Sequence, residues 1–350
     1  MTIVSISDRV KLAQKLLSLK QSVAQATTNE FFRIHPEWEA RYGERGRRFC
    51  TEDCCFHIEF LAGAIEADAP RAFADYVQWT VRMLGARNMD AHSMEENLAQ
   101  IENHISPLLQ PADREVVAAF LAAGRQACAQ PEPVSAAQAE HSPLGLTQRA
   151  FLAAILSGHR RAALTVVEEA LRNGALHIDI YVDVISEALH AIGSLWEQNK
   201  ISVAQEHMAT AIAQYVVAMI YPRIASAGET RGSMVVTGVC GELHQIGPNL
   251  VADAMEANGW SVRFLGTNLP NTTILATIED VVPKVLCIST TLVANLPSAA
   301  ELIRDIRTKM EERAPRIVLG GAAYRFTPQF AQDIGAAEVI LDLRQALQTV

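Results

Sequence analysis

The sequence predicts an α/β protein extended by all-α regions: an N-terminal helical domain, a four-helix bundle and a C-terminal parallel sheet. Two changes of pattern support this fold class. Apolar residues recur at helical spacing over the first two thirds of the chain, and after residue 232 short apolar runs alternate with helical segments. Hydrophobic residues make up 49% of the chain but aromatic residues only 6%, so the core is mainly aliphatic, as in packed helices and buried parallel strands.

Residues 1–128 are predicted to form an all-helical domain, a candidate sensor. In its last helix, Val116, Val117 and Phe120 follow Asp113 at the i+3, i+4 and i+7 positions of one face. The helices are expected at residues 5–25, 56–65, 70–84, 94–105 and 111–126.

A linker is predicted at residues 129–146, where three prolines and small polar residues interrupt the apolar pattern. Residues 147–230 follow as a four-helix bundle. Ser202 and Gln205 form the S-x-x-Q pattern of a capping box, which predicts that the fourth helix begins at Ser202. The first three helices are expected at residues 147–157, 160–173 and 178–198.

Residues 231–350 are predicted to form a Rossmann-like domain. Five apolar runs alternate there with helical segments, which is typical of a parallel sheet built from βαβ units. The runs lie at residues 234–239, 261–266, 284–290, 316–321 and 337–342. The chain of 350 residues, enough for about two domains at ~100–200 residues each, is therefore divided into three.

Ligands bind such sheets at the loops that follow the strands, so these loops indicate the class of protein. The loop at residues 238–247 lacks the G-x-G-x-x-G of a dinucleotide site, and no acidic residue follows the second strand. The third strand ends in Ser289-Thr290-Thr291, where a phospho-receiver domain of flavodoxin-like topology would carry an Asp. Both of these classes are disfavoured.

The loop after the first strand contains Glu242 two residues before His244, with Gly247 three residues further on. A neutral imidazole can bind a metal while a carboxylate accepts the proton of its other ring nitrogen. On these residues alone, a solvated surface loop is the simpler interpretation.

The further motifs change that interpretation. The E-x-H-x-x-G of this loop, the Ser289 and Thr291 pair, and Gly320-Gly321 together resemble the D-x-H-x-x-G, S-x-T and G-G motifs of cobalamin-binding domains, in the same order and spacing. The resemblance implies that His244 is the lower ligand of the cobalt. It also implies that the cofactor's nucleotide tail passes Ser289 and Thr291, with room provided by Gly320 and Gly321. Glu242 replaces the family's commoner Asp.

The bundle contains a second motif. Trp196 is followed after nine residues by Glu206 and His207, and the capping box places Trp196 at the end of one helix and the other two at the start of the next. Without the downstream motifs, Trp196 is ordinary bundle core. With them, the pattern resembles the cobalamin-dependent photoreceptors of the CarH type. This implies adenosylcobalamin packed against Trp196, loss of the adenosyl group in light, and a light-dependent change in a homo-oligomer.

The sequence departs from these photoreceptors in two ways. Residues 1–128 show no helix-turn-helix DNA-binding domain, so direct repression is not expected. In some relatives a His follows the Trp and binds cobalt after photolysis, whereas here that position is Glu197. His190, His207 or water would then take the upper position.

An arginine-rich segment precedes three closely spaced cysteines in the N-terminal domain. Arg41, Arg45, Arg47, Arg48 and His57 are candidates for a pocket that binds the two propionates and the rings of a linear tetrapyrrole. The alternative is a solvated loop paired with nearby glutamates. The architecture resembles the photocobilins, which join a cobalamin photoreceptor to biliverdin binding, and this resemblance implies biliverdin as a second chromophore. It identifies no contact residue.

Charge and composition restrict the partners. The net charge of −9 argues against a broad nucleic-acid surface. No apolar run is long enough for a membrane span, and the N-terminus lacks the basic segment and apolar stretch of a signal peptide. With neither a candidate membrane span nor a signal segment, the protein is expected to be cytoplasmic. Six irregularly spaced cysteines predict reduced thiols. We expect a light sensor that is not itself an enzyme. The alternatives are a corrinoid methyl carrier of a methyltransferase system and a regulator that senses adenosylcobalamin without light.

Overall fold

The computed structural model describes residues 5–129, 143–224 and 228–350. Most of the predicted linker lies outside these residues. The described chain divides into two compact units. The first comprises the residues before 130 together with Thr290–Glu311 and Ala322–Val339, and the second comprises residues 143–289 together with Glu312–Gly321 and Ile340–Val350.

The N-terminal part of the first unit is helical, as predicted. Ser5 caps its first helix, because the Ser5 hydroxyl accepts a hydrogen bond from the backbone N–H of Asp8 at 3.2 Å. The helices are α1 (Ile6–Ile34), α2 (Pro36–Glu66), α3 (Pro70–Gly85), α4 (Ala91–Ile105) and α5 (Pro111–Cys128).

Two helices of this unit are longer than predicted. Helix α1 continues to Ile34 because Thr27 and Thr28 are fully buried, so tertiary packing outweighs their low helix propensity. The arginine-rich segment is not a loop. It belongs to α2, which bends at Gly43, where φ is +54°, a conformation that glycine adopts without strain.

The same unit contains α13 (Leu296–Met310) and α14 (Pro328–Asp333). Helix α2 approaches the segment that precedes α13 closely, since a Cβ added at Gly63 would lie 2.0 Å from the Val293 carbonyl oxygen. The fully buried Glu66 is paired with Arg304 at 3.5 Å. The N-terminal helices thus pack against a segment 230 or more residues away in sequence.

The second unit begins with the predicted helical bundle. The capping box at Ser202 is confirmed, with Ser202 Oγ accepting from the Gln205 N–H at 3.2 Å. The predicted third helix is instead divided, because residues Ile180–Ser186 form a π-helix. The bundle helices are α6 (Gly145–Leu156), α7 (Arg160–Arg172), α8 (His177–Asp179), α9 (Glu187–Glu197) and α10 (Val203–Ile220).

The predicted parallel sheet is present and has the order β2-β1-β3-β4-β5. Its strands are β1 (Gly232–Gly238), β2 (Trp260–Phe264), β3 (Val285–Ser289), β4 (Arg316–Gly320) and β5 (Glu338–Ile340). Helices α11 (Ile246–Ala257), α12 (Asn271–Val281) and α15 (Leu343–Thr349) belong to the second unit. This order is that of the flavodoxin-like doubly wound sheet, whose switch point lies between β1 and β3.

Helix α11 connects the sheet to the bundle within the second unit. Ile246 and Leu250 pack into the bundle core, and the Tyr181 hydroxyl of the π-helix donates to Asp253 Oδ2 at 2.9 Å. Burial raises the pKa of Asp253 to about 6. In the part of the chain that is described, no helix is both long and apolar enough to cross a membrane.

Candidate functional site

The loop between β1 and α11 holds the candidate metal ligand. The Glu242 side chain is completely buried, whereas the His244 side chain is 55% exposed. Glu242 Oε1 accepts two hydrogen bonds from the same residue: from the backbone N–H of His244 at 3.1 Å and from its ring Nδ1 at 2.5 Å. The longer carboxylate therefore reaches the imidazole.

This geometry suits a metal ligand. Because Nδ1 is bonded to a buried carboxylate, Nε2 is the ring nitrogen left for a metal, and the carboxylate makes it more basic. Among the described residues, no group of three or more His, Cys, Asp or Glu side chains could hold a metal ion. A single oriented imidazole such as that of His244 is compatible with a metal whose other ligands come from a macrocycle.

Two other predicted site residues, Ser289 and Gly320, lie side by side at the ends of neighbouring strands. Gly238, Ser289 and Gly320 are paired across β1, β3 and β4 and form one row at the carboxyl ends of these strands. The His244 loop leaves the sheet from this row, at the switch point where doubly wound sheets bind ligands.

Local backbone geometry explains why two of the three predicted site glycines, Gly320 and Gly321, are glycine. Gly321 has φ of +104°, and a Cβ at Gly320 would lie 3.1 Å from the Ile340 carbonyl oxygen. Gly247 faces open space instead, since nothing lies within 4 Å of the position its Cβ would take. Thr291 belongs to the first unit, and it follows the buried Thr290. The role of these residues in holding a nucleotide tail stays a prediction.

The upper-face candidates lie at one helix connection, as predicted. Trp196 is in the last turn of α9, half-buried against the bundle core, and Glu206 and His207 are in the first turn of α10. Glu206 accepts hydrogen bonds from the His207 ring and, at 2.9 Å, from the Thr210 hydroxyl. The His207 side chain is 75% exposed.

The two histidines considered as a second cobalt ligand are both exposed. His190 is exposed on α9 and lies 3.5 Å from Glu187. It precedes Trp196 by six residues, which places the two side chains on different faces of the helix. Glu197, where some photoreceptors carry a His, is buried. The His190 side chain is 66% exposed and that of His207 75%, so exposure does not distinguish the two histidines.

The arginine cluster forms a surface cavity of about 710 Å³ between α1 and α2. Arg45, Arg47 and Arg48 line it together with Gln21, Gln25, Glu44, Thr51 and Glu52. The guanidinium groups are already engaged: Arg47 pairs with Glu39 and lies over the Phe32 ring, and Arg48 pairs with Glu52 at 3.7 Å. Arg41 is not among the lining residues and lies over the Tyr42 ring.

His57 is not part of this cavity. It is 5% exposed, and its Nδ1 lies 2.7 Å from the Tyr76 hydroxyl. Burial lowers the pKa of His57 to about 4. The Tyr76 ring stacks on Phe60 with a centroid distance of 3.7 Å. His57 therefore belongs to an aromatic core.

Sequence reasoning missed one polar cluster of the second unit. Arg344 pairs with Asp179 at 2.7 Å and with Asp183 at 3.0 Å, which fixes the π-helical turn to the start of α15. Two aspartates at helical spacing were the available signal, but their partner lies 165 residues after Asp179 and 161 after Asp183.

Comparisons with known proteins find similar B12-binding domains and corrinoid proteins. Residues 232–350 match a family model described as a B12 binding domain, and residues 147–221 match a second model with the same description. The chain is 24% identical over 188 residues to a corrinoid protein of Desulfitobacterium hafniense. This aligned region covers 52% of the present chain and 86% of the corrinoid protein. It is 22% identical over 186 residues to trimethylamine corrinoid protein 1 of Methanosarcina acetivorans, covering 52% and 85%.

A match to methionine synthase of Mycobacterium leprae has 26% identity over 176 residues and covers 48% of this chain but 14% of that enzyme. Among solved structures, the monomethylamine corrinoid protein of Methanosarcina barkeri has a TM-score of 0.53 at 19% identity, covering 59% of this chain and 97% of that one. The structural likeness shows a shared fold.

Proposed function

Because residues 147–221 and 232–350 match two B12 binding domain models, we propose that the protein binds cobalamin and that His244 Nε2 would hold its cobalt. The observation that carries this proposal is the 2.5 Å bond between the fully buried Glu242 and His244 Nδ1. Glu242 orients the ring and keeps it in the tautomer that leaves Nε2 unprotonated. A bound cobalamin supplies a cobalt–carbon bond that breaks by group transfer or by light.

The use favoured by the relatives is methyl carriage. The present chain aligns with at least 85% of the length of each of the two corrinoid proteins described above. In this proposal the chain is the corrinoid subunit of a methyltransferase system, and a separate partner catalyses the transfer. The protein is then a carrier and has no catalytic group of its own.

A second use, light sensing through adenosylcobalamin, is favoured by one observation. A half-buried indole and a carboxylate flank a single helix connection, with Trp196 at the end of α9 and Glu206 at the start of α10. An adenine ring can stack on the indole while a ribose hydroxyl donates to the carboxylate. Loss of the adenosyl group would remove this packing and change the assembly of the protein.

Reconstitution separates the two uses. The protein is loaded with adenosylcobalamin in the dark, and absorption spectra and size-exclusion profiles are recorded before and after green light. Light sensing predicts a spectral change with a shift in assembly that Trp196→Ala abolishes, while the control Trp38→Ala keeps it. Tight methylcobalamin binding, with photolysis no different from that of the free cofactor and no shift in assembly, favours the carrier.

Biliverdin as a second chromophore belongs to the light-sensing proposal. The arginine-lined cavity between α1 and α2 has the volume of a small-molecule site and carries groups that bind carboxylates. Protein purified from cells that make biliverdin should then have a red absorption band, which Arg45→Ala with Arg48→Ala weakens. A preparation without that band contradicts bilin binding and leaves the cobalamin proposal unchanged.

A further inference from the structure

The loop that follows β2 is bonded along its length to the end of β1, directly before the His244 loop. The Leu265 N–H donates to the Val236 carbonyl oxygen at 3.0 Å, and the Gly238 N–H donates to the Gly266 carbonyl oxygen at 3.0 Å. The Thr237 hydroxyl lies 3.2 Å from the same Gly266 oxygen. The two loops therefore leave the sheet as a pair.

The two loops approach closely where the Thr267 side chain lies against Gly238. A Cβ added at Gly238 would lie 2.6 Å from Thr267 Cγ2, closer than two carbon atoms can approach. Only glycine at position 238 lets the Thr267 side chain lie there. The contact fixes the spacing of the two loops just before Glu242.

Asn268 supplies the last link. It has φ of +59°, a left-handed conformation that asparagine tolerates better than most residues. This conformation directs its side chain to the other loop, where Asn268 Oδ1 accepts a hydrogen bond from the Gly241 N–H at 3.0 Å. Gly241 itself has φ of +84° and directly precedes Glu242.

We propose that Asn268 is a positioning residue for the cobalt ligand. By fixing the Gly241 peptide, it sets the direction in which the chain enters Glu242, so that one carboxylate oxygen receives both the backbone N–H and the Nδ1–H of His244. The inference rests on the proposed role of His244 as axial ligand. It adds a residue from another loop, 24 positions further along the chain.

Matched substitutions separate the two properties of Asn268. Asn268→Gly keeps the left-handed backbone but removes the acceptor, and Asn268→Asp keeps both. Asn88→Gly is the control, because Asn88 has nearly the same φ, +61°, and belongs to the first unit. One lost hydrogen bond shifts an equilibrium by roughly threefold to tenfold.

The experiment uses protein without cofactor, labelled with ¹⁵N-histidine, and reads the His244 tautomer from long-range ¹H–¹⁵N correlations; His244→Ala assigns the signals. We expect the Nδ1–H tautomer in the wild type, a threefold to tenfold fall of its ratio to the other tautomer in Asn268→Gly, and recovery in Asn268→Asp. Asn88→Gly should match the wild type. Wild-type His244 signals in Asn268→Gly would overturn the proposal, as would an equal disturbance of the other histidines.

This readout is independent of the proposed function. If the tautomer depends on Asn268 but His244 does not bind cobalt, the cobalamin proposal is wrong and the positioning role stands. If His244 binds cobalt in Asn268→Gly with an unchanged tautomer, the positioning role alone is wrong.

Discussion

His244 and His57 are each held by one hydrogen bond at Nδ1, yet their environments are opposite. His244 is bonded to a buried carboxylate, and its side chain is 55% exposed. His57 is bonded to the Tyr76 hydroxyl, and the residue is 5% exposed. A ring that is oriented by a buried anion while its other nitrogen remains accessible can bind a metal, whereas a buried ring fills a core. Both imidazole rings are held through Nδ1, so the exposure of the rest of the ring distinguishes a possible metal ligand from a core residue.

The largest expected difference between the two is in folding stability. His57→Ala removes a buried side chain and leaves the Tyr76 hydroxyl without its partner, so the free energy of unfolding should fall by about 3–4 kcal/mol. His244→Ala removes an exposed side chain but takes one hydrogen bond from the buried Glu242 carboxylate, so it should lower the free energy of unfolding by only about 1–2 kcal/mol. Urea unfolding of protein without cofactor measures both. Similar losses for the two variants would contradict the assignment of His57 to the core.

Acid should sharpen the comparison. Because burial lowers the pKa of His57 from 6.5 to about 4, the unfolded state binds more protons between these values, and the contribution of neutral His57 to stability is lost as pH falls from 6.5 towards 4. His57→Gln does not titrate. Relative to this variant, the wild type should lose at most about 3 kcal/mol over that range. Parallel stability curves for the two proteins would show that His57 titrates normally.

The smallest effect is expected at the carboxylate that orients His244. Glu242→Gln keeps the volume and the acceptor oxygen but removes the charge, and loss of such a partner typically weakens metal binding about tenfold, or about 1.4 kcal/mol. Titration with cobalamin, followed by absorption, measures the change in Kd. Glu168→Gln, which changes a bundle carboxylate paired with Arg223 and given no role in cofactor binding, serves as the control. An unchanged Kd and spectrum for Glu242→Gln would contradict the role of its charge.

Much of the second unit could be predicted because its signals are local. The alternation of apolar runs and helices predicts the five strands, and the S-x-x-Q pattern predicts the start of α10 at Ser202. The pairing of Glu242 with His244 follows from their separation of two residues in a tight loop. In each case the residues that determine the geometry are close in sequence.

Other features depend on contacts distant in sequence. Helix α1 extends past the predicted end because Thr28 packs against α2, where Thr51 donates to its hydroxyl at 3.0 Å. The arginine-rich segment is helical because it packs along α1 and because its guanidinium groups lie over aromatic rings, as Arg47 does over Phe32. The hydropathy pattern contains neither contact.

The site also depends on information that no motif contains. Asn268 has a recognisable turn context, Gly266-Thr267-Asn268, but its partner Gly241 becomes evident only when the parallel order places β1 beside β2. The π-helix at Ile180–Ser186 follows from anchors on both sides, Tyr181 to Asp253 and Asp183 to Arg344. In each of these pairs the two residues belong to different elements, so their spacing in the sequence does not reveal the contact.

The central claim is that His244 is the protein ligand of the cobalt, and electron paramagnetic resonance tests it most directly. The protein is loaded with cob(II)alamin after growth with either ¹⁴N- or ¹⁵N-histidine. We predict superhyperfine lines split into triplets by a ¹⁴N ligand and into doublets by a ¹⁵N ligand, and loss of the histidine-dependent splitting in His244→Ala but not in His207→Ala. A spectrum that does not respond to histidine labelling, or that His244→Ala leaves unchanged, would contradict the account.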